Sequence, residues 1–176
     1  MIASVWCDRG EYSKFVVEAI RSIDCRDGFA LDIPSGEGRH SRFLASHGFQ
    51  VISADLDMKA LLHGASLSGG PKKPTITSVC LDATKSLPFL AGTFNLALIV
   101  HFQMDSILPQ IESVIKQGGF LVLETYGAHG QNWRNLPLAG ELKRQLEGTF
   151  HLLQYVERTV RKVPDRVTVR AVGRKR

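Results

Sequence analysis

Residues 31–55 place two glycines, Gly36 and Gly38, between an apolar run and a helix-patterned stretch, and close on Asp55, 19 residues beyond Gly36. A short strand at 29–33 must stop, turn through Pro34-Ser35-Gly36-Glu37-Gly38 and hand over at once to a helix at 39–47. That helix gathers Phe43, Leu44 and His47 on one face and is stopped by Gly48. A second strand at 49–54 then delivers Asp55. Glycines at such a turn let the backbone approach a ligand without a Cβ in the way. The helix behind them offers unpaired N–H groups and the positive end of its dipole. Two glycines alone would suit any turn. The strand-end carboxylate makes the difference, because at this spacing it can accept both hydroxyls of a ribose.

The rest of the chain repeats the alternation. Spacing predicts helices at 13–23, 57–67, 104–115 and 138–146, and strands at 76–81, 94–100, 120–125, 150–163 and 166–172. Gly69-Gly70-Pro71 and Gly118-Gly119 read as breaks that end the second and third of those helices. In the last strand Val167, Val169 and Ala171 alternate with Arg166, Thr168 and Arg170, so one face is expected to be wet. Alternating strands and helices imply a mostly parallel, doubly wound α/β sheet with helices on both faces. The ligand of such a sheet lies beyond the carboxyl ends of its strands, at the topological switch point. The chemically unusual residues do cluster after strands: the 34–38 loop, Asp55, Asp82, His101, and Tyr126 through Arg134.

With 176 residues a single domain is expected, divided into an N-terminal helical segment (1–28), an α/β core (29–173) and a basic tail (174–176). No apolar run approaches the roughly 20 residues of a membrane span, and the N-terminus lacks the layout of a secretion signal. Cys7, Cys25 and Cys80 show no metal or disulfide spacing, which suits a reducing, cytoplasmic setting and small buried or half-buried thiols. His40, His47, His63 and His151 likewise have no ligand spacing, so no metal is expected. Charge is uneven. Residues 1–140 carry 12 basic and 13 acidic side chains, whereas 141–176 carry 10 and 4. The plain reading, solvated strand faces and a frayed end at Arg174, Lys175 and Arg176, is preferred to a nucleic-acid dock.

Two cofactor classes use a glycine turn with a strand-end carboxylate. A dinucleotide fingerprint requires a third glycine where Ser41 stands, and Asp32 near the end of the first strand does not favour a pyrophosphate. Asp32, Asp55 and Asp82 together at the expected rim suit a cationic, ribose-bearing molecule such as a sulfonium with an amino-acid tail.

Ala30-Leu31-Asp32-Ile33-Pro34-Ser35-Gly36-Glu37-Gly38-Arg39-His40 resembles motif I of the class I S-adenosylmethionine-dependent methyltransferases. Val51 to Asp57, Leu81-Asp82-Ala83 with Leu87-Pro88-Phe89 and Gly92 to Leu96, and Gln117-Gly118-Gly119-Phe120-Leu121 are similar to their second, third-to-fourth and fifth strand regions. Glu124-Thr125-Tyr126 and Leu136 to Leu142 narrow the resemblance to the small tellurite-resistance-like methyltransferases. The resemblance covers roughly 29–146. It implies a Rossmann-like, seven-stranded sheet with an antiparallel last strand, and S-adenosylmethionine converted to S-adenosylhomocysteine. It also implies cofactor contacts at Asp32, Pro34, Ser35, Gly36 and Gly38 on the methionine side, Asp55 and Leu56 at ribose and adenine, Asp82 and Ala83 at the adenine amino group, and Val100 and His101 at the pocket floor. Pro34 replaces the family's first glycine and removes one backbone N–H.

On the acceptor side, His101 is a candidate base or pocket wall, and Tyr126, His129, Asn132, Trp133 and Arg134 form a candidate acceptor loop flanked by Gly127 and Gly130. Arg134 suits an anionic acceptor. Trp6, Arg9 and Tyr12 are candidates to fold over the cofactor. Val100-His101-Phe102-Gln103 lacks the run used for base-amino methylation, and no cysteine stands there for cytosine C5 chemistry. The expectation is a small-molecule or inorganic acceptor, with a monomer or homodimer and no membrane. The alternatives are a non-catalytic cofactor-binding partner subunit and an RNA-directed methyltransferase using the basic tail.

Overall fold

The apolar run that follows Thr93 forms β4 (Phe94–Val100), and its alternating residues are buried on opposite faces, Leu96, Leu98 and Val100 on one and Ala97 and Ile99 on the other. A strand with two dry faces must lie inside a sheet covered by helices on both sides. In this computed structural model, residues 12–67, 75–103, 107–128, 136–160 and 163–176 are described, apart from the side chains of 160–166. Their seven strands are β1 (Phe29–Asp32), β2 (Gln50–Asp55), β3 (Ile76–Cys80), β4, β5 (Ile115–Ala128), β6 (Phe150–Val160) and β7 (Val163–Lys175). They lie in the order β3-β2-β1-β4-β5-β7-β6. All pairings from β3 through β5 are parallel, and β7 runs antiparallel between β5 and β6. The order reverses between β1 and β4, so the crevice for a ligand opens at their carboxyl ends.

One face of the sheet carries α1 (Lys14–Ser22) and α2 (Arg39–Ser46), whose Phe15, Val16, Ala19, Ile20, Phe43 and Leu44 pack on Leu96, Leu98, Phe120 and Val122. Each large side chain so buried contributes roughly 1.5–3 kcal/mol. The other face carries α4 (Leu108–Val114) and α5 (Glu141–Thr149), with Ile111, Val114, Leu142 and Leu146 against Ile99, Leu121, Leu123 and Val169. Beside β2 and β3 lies α3 (Met58–Leu67), which buries Leu61 and Gly64.

Several boundaries differ from the sequence-based expectation. Helix α4 starts at Leu108, with Pro109 in its first turn where a missing N–H is harmless; residues 104–106 lie outside the described residues, as does Gly69-Gly70-Pro71. Ile115 already pairs with Phe94, so Gly118-Gly119 is an irregularity inside β5 rather than the stop of a helix. Gly118 takes φ +75°, and a Cβ on Gly119 would lie 2.9 Å from Ile115 Cγ2 and 3.0 Å from the Asn95 carbonyl oxygen. Helix α5 starts three residues late because Gly140 turns into it at φ +73°, while the Glu141 carboxylate accepts the Leu138 N–H at 2.9 Å. Cys25 is half-buried as expected, but Cys80 is exposed.

The basic end requires a correction. Arg174 and Lys175 belong to β7, pairing with Phe120 and Phe150, and the Arg176 N–H donates to Thr149 at 3.1 Å. Lys175 Nζ donates to the Glu112 and Ile115 carbonyls at 2.5 and 2.8 Å, which the C-terminus of α4 leaves open. Arg174 lies over the Phe120 ring, 5.8 Å from its centroid, and donates to the Gly118 carbonyl. The segment 174–176 is therefore the end of a strand, not a frayed tail, with Lys175 engaged within the fold and Arg174 and Arg176 exposed. Among the described residues no helix is long and apolar enough to cross a membrane. Replacing Lys175 by Met keeps the aliphatic stem and removes both carbonyl contacts. Urea unfolding should then show a loss of roughly 1–3 kcal/mol, whereas an unchanged midpoint would restore the picture of a frayed end.

Candidate active site

At the β1/β4 crevice the chain after β1 is held by backbone bonds on both sides. The Ile33 N–H donates to Leu98 at 3.0 Å and the Ser35 N–H to Ala54 at 2.9 Å. Pro34, between them, has no N–H to give and follows a cis peptide bond. The Gly36 N–H then donates to Asp55 Oδ2 at 2.7 Å, and Asp55 Oδ1 accepts the Asp57 N–H at 2.9 Å. Gly36 and Gly38 both adopt left-handed conformations, φ +54° and +66°, which an L side chain rarely takes. A Cβ on Gly36 would meet nothing within 4 Å, so the loop presents an open flank there. On another side it is tightly backed: a Cβ on Gly64 of α3 would come within 2.4 Å of the Glu37 carbonyl oxygen. Ser35 Oγ is buried and has no hydrogen-bond partner among the described residues. An orphaned buried hydroxyl beside an open glycine turn fits a polar ligand in that space.

The three aspartates expected at one rim occupy three different situations. Asp55 is half-buried and grips the loop. Asp32 is not at the rim: it is 1% exposed, accepts from Ser41 Oγ at 2.6 Å, and Ser41 reaches on to Ser53 at 2.9 Å. Burial pushes its carboxyl up to about 7, against the pull of Ser41 and Arg39 and with a smaller upward push from Asp55. Asp82 closes its own turn, accepting the Thr84 N–H and hydroxyl at 2.9 and 2.6 Å with Lys85 at 3.6 Å. Thr84, by its hydroxyl and its N–H, holds that carboxyl below its ordinary value. Leu56 is 67% exposed, whereas Ala83 and Val100 are buried.

Beyond β4, His101 is exposed and adopts φ +59°. Its ring stacks on Tyr126, centroids 5.1 Å apart at 10°. Below this pair lies a polar knot that the sequence reading did not find. His40 Nε2 accepts the Ser13 N–H at 3.1 Å, and Ser13 Oγ donates to Glu124 Oε2 at 2.5 Å. Arg170 Nε and Nη2 donate to Glu124 Oε1 at 2.8 and 2.7 Å, with the guanidinium over Phe15. Burial, then Arg39 and His101, push His40 down to about 3, so its ring stays neutral and can accept. The available signal was Glu124 itself, an acid inside the apolar run 120–125. Tyr12 rests on Phe43 of α2, centroids 5.0 Å apart. Trp6, Arg9, Cys7, His129, Asn132, Trp133 and Arg134 lie outside the described residues. No cluster that could hold a metal ion occurs among the described residues.

Asp32 generates a pH-dependent expectation. Its carboxyl is raised in the fold above its unfolded value, so its contribution to stability is fully present in acid and is lost as pH rises through about 7. Asp32→Asn keeps an acceptor for Ser41 without a buried anion. The variant should gain on the wild type between pH 5 and 8, by roughly 1–4 kcal/mol at the upper end. His40, lowered in the fold, gives the opposite slope below about 6.5 and cancels because both proteins carry it. Parallel stability curves for the two proteins would remove the buried charge from Asp32.

Comparison with known proteins gives a consistent picture. The methyltransferase-domain family matches residues 30–119. The demethylmenaquinone methyltransferase of Beutenbergia cavernae is 28% identical over 160 residues, covering 81% of this chain and 62% of that protein, so this chain spans less than two thirds of that relative. TehB from Haemophilus influenzae superposes with a TM-score of 0.69 at 19% identity, covering 92% of this chain and 61% of that one. An S-adenosylmethionine-dependent methyltransferase from Mesorhizobium loti gives 0.67 at 17%, covering 92% and 98%. A geranyl diphosphate methyltransferase in complex with S-adenosylmethionine gives 0.73 at 12%, covering 92% and 83%. At such identities the superpositions speak for the fold, and the family match speaks for descent. With its seven-stranded sheet, antiparallel β7 and glycine turn gripped by a strand-end carboxylate, the chain has the class I methyltransferase fold and belongs to the methyltransferase-domain family.

Proposed function

We propose that the chain transfers a methyl group from S-adenosylmethionine to a small-molecule acceptor. The observation that carries this reading is the glycine turn beside Asp55, open at Gly36 and lined by the orphaned hydroxyl of Ser35. Asp55 would hold the ribose hydroxyls while keeping its grip on the Gly36 N–H. Exposed Leu56 would cover one adenine face, with Asp82 and Ala83 at the adenine edge. Ser35, Gly36 and Gly38 would line the methionine side, where Pro34 contributes shape and no donor. Asp32 would act from beneath the turn through Ser41 rather than by direct contact. Val100 and His101 would close the floor, with Tyr126 against His101.

When bound, the cofactor supplies an electrophilic methyl group for in-line displacement. Alignment and exclusion of water then supply most of the acceleration. A small acceptor is supported by the relative named for demethylmenaquinone, whose acceptor is a small molecule. Lys175 is taken up by the Glu112 and Ile115 carbonyls, which reduces the free charge at the end of the basic segment 141–176 that the RNA-directed alternative draws on.

The first test compares thermal shifts with S-adenosylhomocysteine, NAD and NADP, since a ligand of the native state raises the melting temperature. Only S-adenosylhomocysteine should stabilise the protein, and a larger shift with a dinucleotide would overturn the assignment. Asp55→Ala should weaken S-adenosylhomocysteine by about tenfold or more, because it loses a charged hydrogen-bond acceptor and loosens the turn. Its far-UV circular dichroism should match the wild type, with a melting temperature a few degrees lower for the two lost N–H contacts. Undiminished binding would remove Asp55 from the site.

A further inference from the structure

Three consecutive residues of β5 hold the two residues that follow β4, each by a different contact. The Glu124 carbonyl accepts the His101 N–H at 2.7 Å. Thr125 Oγ1, on a residue 2% exposed, donates to the Phe102 carbonyl at 2.5 Å. The Tyr126 ring lies nearly parallel to the His101 imidazole. Among the described residues, His101 is the one non-glycine with positive φ. Such a backbone costs roughly 1–3 kcal/mol and persists where its surroundings over-determine it. The outcome of that expenditure is an imidazole held just past the carboxyl end of β4, against Tyr126 of β5. Glu124 meanwhile commits its carboxylate to Ser13 and Arg170, which fixes β5 against α1 and β7 and keeps the corner from shifting.

We propose that Glu124, Thr125 and Tyr126 are positioning residues that present His101 as the proton acceptor for a protic methyl acceptor, an O–H, N–H or S–H nucleophile. This rests on the methyl-transfer reading above. As the acceptor's lone pair forms its new bond to the methyl carbon, its proton passes to the imidazole. The electron pair of the broken S–C bond stays on sulfur as a neutral thioether, and the imidazolium afterwards returns the proton to solvent. The charged and titratable groups around His101 are Glu124 and Tyr126 from β5, Arg170 from β7, and Arg39 and His40 from α2. Partial burial lowers His101 from its ordinary value, with Glu124 opposing and Arg39 and Arg170 reinforcing, which favours the neutral ring that can take up a proton.

The test titrates His101 by NMR in protein saturated with S-adenosylhomocysteine. Wild type, Thr125→Ser and Tyr126→Phe should titrate below the ordinary histidine value. Thr125→Val and Tyr126→Leu should move back toward it by about half a unit or more, with S-adenosylhomocysteine affinity within about threefold of wild type. Unchanged titration in both disruptive variants would overturn the clamp. In parallel, formation of S-adenosylhomocysteine is followed with phenols, hydroquinones and thiols against thioethers and tertiary amines. His101→Gln should lower kcat on the protic set by about a hundredfold, far more than it raises the KM for S-adenosylmethionine. The acid limb of the kcat profile should rise in pH in the two disruptive variants. Turnover confined to the aprotic set, or indifferent to His101→Gln, would overturn the proton role. Failure of the wild type to bind S-adenosylhomocysteine would instead sink the methyl-transfer reading, and the titrations, repeated without ligand, would still decide the clamp.

Discussion

Asp55 accepts the Gly36 N–H at 2.7 Å and the Asp57 N–H at 2.9 Å, so one carboxylate at the end of β2 joins the turn after β1 to the turn before α3. Charge-assisted bonds of this kind are about twice as strong as neutral ones, and two from one side chain leave the turn little freedom. The left-handed glycines, the open flank at Gly36 and the close approach of Gly64 to Glu37 all depend on where that turn is held. A ribose in this site would therefore meet a carboxylate that is already oriented. Pre-orientation lowers the ordering cost of binding.

A second constraint lies behind the His101 corner. Ser13, His40, Glu124 and Arg170 come from α1, α2, β5 and β7, and a chain of hydrogen bonds runs through all four. The Glu124–Arg170 pair is buried only on its acidic side, and such a pair is weak evidence for stability because desolvation offsets much of the attraction. Its effect here is geometric. Helix α1 is fixed at its first turn to the same strand whose next two residues hold the His101 corner, so the N-terminal helix and that corner share one support.

Much of the fold was legible because its signals are local. The 3.6-residue spacing of Phe15, Val16, Ala19 and Ile20, the apolar run 94–100 and the strand-end Asp55 each report on neighbours along the chain. The misplacements share a cause. Gly118-Gly119 has the composition of a helix stop, but Ile115 finds Phe94 across the sheet and strand pairing begins five residues earlier than the local pattern allows. Arg174, Lys175 and Arg176 look like a frayed tail, yet strand pairing holds the backbone of the first two and the open carbonyls at the end of α4 take up Lys175.

In the site, the glycine turn and its carboxylate were readable from spacing alone, since a βαβ unit constrains where residue 55 can stand relative to residue 36. The same spacing could not tell that Asp32 turns inward to Ser41 while Asp82 closes on Thr84, because both are choices of side-chain direction at similar strand ends. Nor could it bring Ser13 to Glu124, which are 111 residues apart. The sequence by itself determined an alternating α/β chain with a glycine turn beside a strand-end carboxylate, through periodicity and backbone permissiveness acting over a few residues. Only the tertiary structure decided which carboxylates are buried, where the basic end goes and how His101 is held. Those outcomes depend on desolvation and on partners that meet only when the sheet is assembled.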